Sequence, residues 1–336
     1  MSLHIISRMV LGKRYLHDDD CQNAVVSPQG IKMMLDELFL LNGVLNIGDY
    51  IPWIGFLDLQ GYVKRMKIVG RKFDGFLEHV LNKHEERRKK NEGNYVSRDM
   101  VDVLLEFAEN PDLEVKLERH GVKTFTQDLL AGGTEISTMT VEWAISELLK
   151  KSEILKIAIE ELDRVISQNK WVKEKDIHKL PHIDAIIKET MRLHPVAPML
   201  PPRLSREDCK VAGYDIKKGT QVLVNVWTIG RDPSLWEDAT EFRPERFIGK
   251  AIDVKGHDFE LLPFGSGRRM CPGYSLGLKV IQSSLANLLH GFNWKLPDNM
   301  GPEDLDMEEI FGLSTPKKIP LLTVAEPRLP IEIYSP

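Results

Sequence analysis

One stretch constrains this chain more than any other: Phe264-Gly265-Ser266-Gly267-Arg268-Arg269-Met270-Cys271-Pro272-Gly273. It is a glycine-rich, doubly basic loop that delivers a single cysteine to an apolar helix. Downstream, Leu276, Val280, Ile281, Leu285, Leu288 and Leu289 recur at helical spacing, which predicts Cys271 at or just before a helix N-terminus. Backbone N–H groups and the macrodipole favour an anion there, and two arginines push the same way, so a thiolate is expected. Pro272 lacks an N–H that a first helical turn can spare. Gly265, Gly267 and Gly273 let the backbone approach something bulky.

A lone thiolate with no His or Cys at chelate spacing does not build a zinc site. It suits a nucleophile, or a single axial ligand to a metal whose other ligands come from a cofactor. A nucleophile wants a histidine close by, and the loop contains none. The arginines suggest anionic groups to neutralise, as haem propionates would be, and a cysteine thiolate is one of the established ways to hold haem iron.

Phe264-x-x-Gly267-x-Arg269-x-Cys271-x-Gly273 matches, at every fixed position, the haem-binding signature of the cytochrome P-450 superfamily. The chain resembles that family, in its plant microsomal branch, and is similar to flavonoid 3′-monooxygenase-like and homoterpene-forming proteins. The resemblance implies Cys271 as the metal ligand, with Phe264, Gly265, Arg269 and Gly273 around the haem. It also implies a mainly α fold with a minor β part, and a long distal helix over the haem.

The 336 residues are ample for a substantial core. With 42% hydrophobic and 28% charged residues the composition is globular, and a net charge of −5 argues against general nucleic-acid binding. Cys21, Cys209 and Cys271 are too scattered for a disulfide framework and fit a reducing compartment. No run approaches the roughly 18 apolar residues that span a bilayer. The first 15 residues, with Arg8 inside the apolar part, do not read as a signal peptide.

In chain order, Ile5, Ile6, Met9 and Val10 predict a helix ended by Gly12, and an acidic turn, His17 to Asp20, precedes another over Gln29 to Leu41 that starts at Ser27-Pro28. Gly48 to Leu57, with Trp53 and Phe56, reads as an apolar loop; it could pack, or touch substrate or membrane, and packing is the expectation. A long amphipathic helix follows over Leu59 to Lys90, its charge run His84 to Lys90 read as a solvated face. Asn91 to Ser97 is a polar linker, and Met100, Val103, Leu104 and Phe107 mark the next helix.

Val115 to Lys150 reads as one long helix, interrupted in composition by Ala131-Gly132-Gly133-Thr134-Glu135. Adjacent glycines cost about 1 kcal/mol each relative to alanine, which points to close approach of a flat ligand, a groove, or small-residue helix packing. By resemblance this is the distal helix, and Glu135 takes the place of the family acid. The family's proton-delivering hydroxyl position falls on Ile136, which leaves Ser137 or Thr134 to substitute.

Ser152 is expected to cap the next helix, and Leu180 to His194 forms another, stopped by Pro195. Within it, Glu189 and Arg192 match the family's Glu-x-x-Arg motif, and Phe242-Arg243-Pro244-Glu245-Arg246-Phe247 its second motif. The resemblance makes Glu189, Arg192 and Arg246 a buried structural network. Pro195 to Arg203 is an extended segment that by resemblance lines the substrate pocket, Arg203 being a propionate partner. Val211–Ile216 and Thr220–Val226, joined by Lys217-Lys218-Gly219, read as a β-hairpin. Phe311 to Pro316 suggests a turn, placed by the family at the substrate, and Ile319 to Val324 a terminal strand.

The resemblance implies a monooxygenase working as a single domain over residues 1–336, with haem, O2, NADPH-derived electrons supplied by a cytochrome P-450 reductase, and an apolar small-molecule substrate. It implies the cytoplasmic face of the endoplasmic reticulum membrane for the full-length family. The family's anchor helix, hinge and first helices and strands have no counterpart here. The chain is therefore expected to be an N-terminally truncated form, soluble or peripheral by itself. A non-catalytic haem-binding remnant or unstable fragment is the alternative.

Overall fold

The computed structural model describes residues 2–12, 28–90, 95–297, 300–310 and 312–334. Cys21, the acidic turn at 17–20, the start at Ser27, linker residues 91–94 and Phe311 lie outside them. The chain divides into two compact units, residues 1–135 and 136–336.

Among its described residues the first unit has helices and no strand. Its helices are α1 (Ser2–Leu11), α2 (Pro28–Gly43), the single turn α3 (Ile47–Tyr50), α4 (Tyr62–Lys90), α5 (Met100–Glu109) and α6 (Arg119–Thr134). Ile6, Leu35, Phe73, Leu77, Val80, Leu81, Val101 and Val122 form one apolar core from the inward stripes of these helices. Asp99 caps α5 by accepting a 3.0 Å bond from the Asp102 N–H.

Two expectations fail here. The segment from Gly48 to Leu57 does not pack: Trp53 and Phe56 are 80% and 82% exposed, and neither α3 nor the 3-10 turn Pro52–Leu57 buries a residue. The segment satisfies its own backbone locally, with Gln60 bonding the Ile47 N–H at 2.7 Å and the Leu45 carbonyl at 3.1 Å. Nor is the charge run from His84 wholly solvated. His84 is buried, with Nε2 3.1 Å from Asp99 Oδ2 and Nδ1 2.8 Å from the Val80 carbonyl. Arg87 bonds Asp99 at 3.1 Å and Asp102 at 2.8 Å, so the run clamps α5 to α4. Arg88 bonds Glu109 of α5 at 2.7 Å, and Lys89 and Lys90 end the helix exposed beside its negative dipole end.

The second unit holds α7 (Ile136–Lys150), α8 (Ser152–Val165) and α9 (Pro181–Leu193). Then come β1 (Arg203–Leu204), β2 (Cys209–Val211), β3 (Tyr214–Ile216), β4 (Gln221–Val222), α10 (Val226–Ile229), α11 (Tyr274–Gly291), β5 (Phe292–Lys295) and β6 (Val324–Pro327). Leu148, Leu162, Ile183, Ile187, Phe242 and Leu285 belong to its core. The strands make three two-stranded antiparallel sheets, β1–β4, β2–β3 and β5–β6. Mainly α with a minor β part is the observed class.

The hairpin register departs from expectation. Val211 pairs with Tyr214 across Ala212-Gly213, whose φ values of 48° and 88° give the two left-handed residues that a tight hairpin turn requires. Gln221-Val222 pairs instead with Arg203-Leu204. The terminal strand starts at Val324, later than the expected Ile319 to Val324, and joins β5. Ser152 is the first helical residue of α8 rather than its cap, which is Lys151 without a side-chain bond.

Candidate functional site

The cysteine loop is built by its glycines. Gly265 and Gly267 take φ of 71° and 69°, and Gly256 sits at 80° with Gly265 O only 2.8 Å from where a Cβ would stand. Gly265 N–H donates to the Leu262 carbonyl at 3.1 Å, Ser266 Oγ to the Gly256 carbonyl at 2.6 Å, and Cys271 N–H to the Phe264 carbonyl at 2.9 Å. The Phe264 ring lies 6.3 Å edge-on from Tyr274. These bonds fix the loop while leaving the Cys271 thiol exposed.

α11 starts at Tyr274 with Gly273 at the cap position, so Cys271 precedes the helix, as expected, but Pro272 lies outside the first turn rather than in it. Arg203 reaches the loop from β1: its Nη2 is 3.8 Å from where a Gly265 Cβ would be. Among the described residues Arg203, Arg268 and Arg269 form no ion pair, although 27 ion pairs occur elsewhere. An exposed thiol, three uncommitted guanidiniums and a glycine backbone with open space at Gly267 fit a bulky anionic cofactor bearing a soft-ligand metal.

The distal stretch is broken. α6 ends at Thr134, α7 begins at Ile136, and Glu135 between them has φ −92° and ψ −40°. Two neighbouring glycines and a Thr134 hydroxyl that donates to the Ala131 carbonyl at 3.1 Å both weaken the helical ladder at this point. The glycines differ in role. A Cβ on Gly133 would stand 2.6 Å from Ile6 Cδ1, so Gly133 admits α1; Gly132 faces open space. Ser137 is buried, its Oγ 3.9 Å from a notional Gly277 Cβ that also sees Phe264 Cε1 at 3.8 Å. That places Ser137 beside the cysteine helix and loop.

Glu135 is half-buried. Burial pushes its pKa up, aided by a side-chain hydrogen bond with Asp36 of α2 and by the charge of Asp36, while Lys32 opposes them; the result is about 7. Sequence reasoning missed Asp36, because nothing in its local spacing links it to a residue at the far end of the unit.

Glu189, Arg192 and Arg246 form the expected network. Arg192 donates to both Glu189 oxygens, at 2.7 and 2.8 Å, and to the Ala239 and Glu241 carbonyls at 2.7 and 3.0 Å, with the Gly230 carbonyl also bonded. Arg246 Nε and the Arg243 N–H bond the same carboxylate at 3.1 and 2.7 Å. The Thr315 N–H and hydroxyl bond the Val196 and Pro195 carbonyls at 3.0 and 2.8 Å, tying the turn before Pro316 to the proline-rich segment.

A mainly helical fold with one rigidly presented cysteine in a basic glycine loop is the architecture of a haem-thiolate protein. A family-wide comparison matches residues 1–324 to cytochrome P-450, and the chain belongs to that family. It is 48% identical to a trimethyltridecatetraene synthase of Zea mays, over 99% of this chain and 63% of that protein. It is likewise 48% identical to a dimethylnonatriene synthase of Zea mays, over 98% and 64%. A flavonoid 3′-monooxygenase of Crocosmia x crocosmiiflora is 42% identical, over 98% and 64%. The chain thus spans somewhat under two thirds of the length of these relatives. Among solved structures it is similar to a zebra fish cytochrome P-450 with progesterone, at a TM-score of 0.78 and 25% identity, over 97% of this chain and 69% of that one. Among the described residues no helix is long and apolar enough to cross a membrane.

Proposed function

We propose that this chain acts as a haem-thiolate monooxygenase. It inserts one oxygen atom from O2 into an apolar small molecule, a flavonoid- or phenolic-like or terpenoid-like secondary metabolite. Electrons come from NADPH through a cytochrome P-450 reductase, and the chain works as one domain, soluble or peripheral by itself, whose full-length form belongs at the cytoplasmic face of the endoplasmic reticulum membrane. The Zea mays relatives named for a branched tetraene and triene favour a terpenoid-like substrate. The observation that carries the reading is the exposed Cys271 on a loop whose arginines form no ion pair among the described residues.

Bound through a thiolate, haem supplies one-electron and dioxygen chemistry, the thiolate donating electron density that favours O–O cleavage. Cys271 supplies that ligand. Arg203 and Arg269 would neutralise the propionates, and Phe264, Gly265 and Gly273 would line the cofactor beside Cys271. Glu135 holds a proton at neutral pH, and Ser137 or Thr134 passes it on. The bond from the Thr134 hydroxyl to the Ala131 carbonyl supports Ser137 over Thr134 in this role. Ile136, where a hydroxyl would serve, favours a second reading, a haem-binding chain that turns over poorly or not at all.

The test is the carbon monoxide difference spectrum of the reduced, haem-supplemented chain. A thiolate-type Soret band is expected, lost in Cys271→Ser and kept in Cys209→Ser and Cys21→Ser. Any other pattern overturns the axial assignment.

A further inference from the structure

His194 stands where three stretches of the second unit meet. It caps the C-terminus of α9 and is buried, with both ring nitrogens facing carboxylates. Nε2 is 2.7 Å from Glu147 Oε1 of α7, and Nδ1 is 3.3 Å from Glu309 Oε1. A carboxylate only accepts hydrogen bonds and a neutral imidazole has one N–H, so the doubly protonated ring is the form that satisfies both contacts. The ring also stacks on Trp143 of α7, with centroids 4.1 Å apart and planes 2° from parallel. Glu309 is held in turn by Trp227 Nε1 at 3.2 Å and Arg231 Nη2 at 3.8 Å. Burial raises the proton affinity of Glu309, but the hydrogen bond and charge of His194, with Arg231 and Trp227, outweigh it and keep this carboxyl below its usual range.

The extended segment Pro195 to Arg203 starts directly after His194. Thr315 ties the turn beyond Glu309 to the root of that segment, its N–H and hydroxyl bonding the Val196 and Pro195 carbonyls. Trp143 Nε1 ties the same turn to α7 by donating to the Thr315 carbonyl at 3.1 Å. The other end of the segment reaches the cysteine loop: a Cβ on Gly265 would stand 3.5 Å from Leu200 Cδ1 and 3.8 Å from Arg203 Nη2. Leu200 is buried there at a φ of 46°, a left-handed conformation that a leucine keeps only where its surroundings over-determine it. The β1–β4 ladder, two residue pairs long, is too short to fix Arg203 by itself. The segment is thus strained at the residue that touches the loop, and it keeps its course only while its root is held.

We propose that His194 is a positioning residue for the cofactor site: by bridging Glu147 and Glu309 it clamps α7, the Thr315 turn and the root of the 195–203 segment together, and so sets where Leu200 and Arg203 stand at the cysteine loop. The role of Arg203 as a propionate partner rests on the function proposed above; the clamp does not.

The test titrates haem into the purified, haem-free chain, followed at the Soret band, for the parent, His194→Phe, Arg203→Gln and the double variant. His194→Phe keeps a ring to stack on Trp143 and removes both bonds. Each single change is expected to weaken haem binding by about fivefold, the scale of one solvent-facing ion pair. The double variant should also lose about fivefold, because both changes remove the same contact. Losses that multiply, to about 25-fold in the double, would mean that the two residues act independently and would overturn the proposal. So would an unchanged haem affinity in His194→Phe. Where that variant does not fold, His194→Gln, which keeps N–H donors without the charge, is read in its place. Hydrogen exchange of the Thr315 amide in the haem-free chain reads the clamp itself. His194→Phe should speed it by about tenfold, the scale of one lost charge-assisted hydrogen bond, and Arg203→Gln should leave it alone. An exchange rate unmoved by His194→Phe overturns the clamp. A parent chain without a thiolate Soret band defeats the monooxygenase reading and the cofactor role with it, whereas the exchange rate still decides whether His194 holds the turn.

Discussion

Replacing Arg192 by lysine tests how the second unit is held together. All five bonds of Arg192 are made inside the protein, two to Glu189 and one each to the carbonyls of Gly230, Ala239 and Glu241. Both Arg192 and Glu189 are fully buried. A lysine keeps the charge but offers three donors from one nitrogen, so at least two acceptors lose a partner. Each buried unpaired acceptor costs about 1–3 kcal/mol, which puts Arg192→Lys near 3 kcal/mol. For a unit of this size 1 kcal/mol moves the melting temperature by about 2–4 °C, so a fall of about 6–12 °C is expected. Arg192→Leu would also leave Glu189 short of a counter-charge, adding about 3–5 kcal/mol, enough to unfold a typical domain. Tryptophan fluorescence is the assay of choice, because five of the six tryptophans lie in residues 136–336 and Trp236 sits 5.4 Å from the Arg192 guanidinium. A melting temperature within 2 °C of the parent, roughly 1 kcal/mol or less, would refute the reasoning, since the carbonyls would then have found other donors.

The distal stretch gives three further expectations. Gly132→Ala should stabilise the first unit by up to about 1 kcal/mol through helix propensity alone, because its Cβ meets nothing. Gly133→Ala should not, because overpacking against Ile6 costs about 1–3 kcal/mol; urea melts compare the two. The raised pKa of Glu135 means that its contribution to stability is whole below about 4.5, the ordinary value, and is lost as pH rises through about 7. The melting temperature of the first unit should fall across that window, and Glu135→Gln should flatten the fall. Ile136→Thr restores a hydroxyl directly after the acid and should raise product per NADPH, measured against oxygen consumed; no change would mean that Ser137 already serves.

What could be read from the sequence was whatever depends on neighbours along the chain. Apolar stripes located the helices to within a few residues, and the four-residue motif Glu189 to Arg192 gave the buried pair because both partners share one turn of α9. Properties set by partners far along the chain stayed hidden. His84 and Arg87 look like any solvated charges until Asp99 and Asp102 fold back on them. The strand Gln221-Val222 has no local signal for choosing Arg203-Leu204 over the nearer Val211 segment, which had closed on itself through Ala212-Gly213. Trp53 and Phe56 are apolar enough for a core, and only the self-sufficient backbone of their turn keeps them outside it.

Two groups of arginines in the second unit contrast, and the contrast is itself an argument about the site. Arg192, Arg243 and Arg246 are each bonded to carboxylates or carbonyls. Arg203, Arg268 and Arg269 gather at the cysteine loop with no ion pair among the described residues, just ahead of the positive end of an 18-residue helix. Like charges brought together without a counter-ion oppose folding, even at the modest scale of surface electrostatics. The loop nevertheless spends three positive-φ glycines, at 256, 265 and 267, on a shape that holds them there. Such an arrangement is balanced only when an anionic partner arrives, so loading the chain with haem should raise its melting temperature, and neutralising Arg269 with glutamine should reduce that rise while leaving the unloaded chain slightly more stable, since one of the like charges is gone.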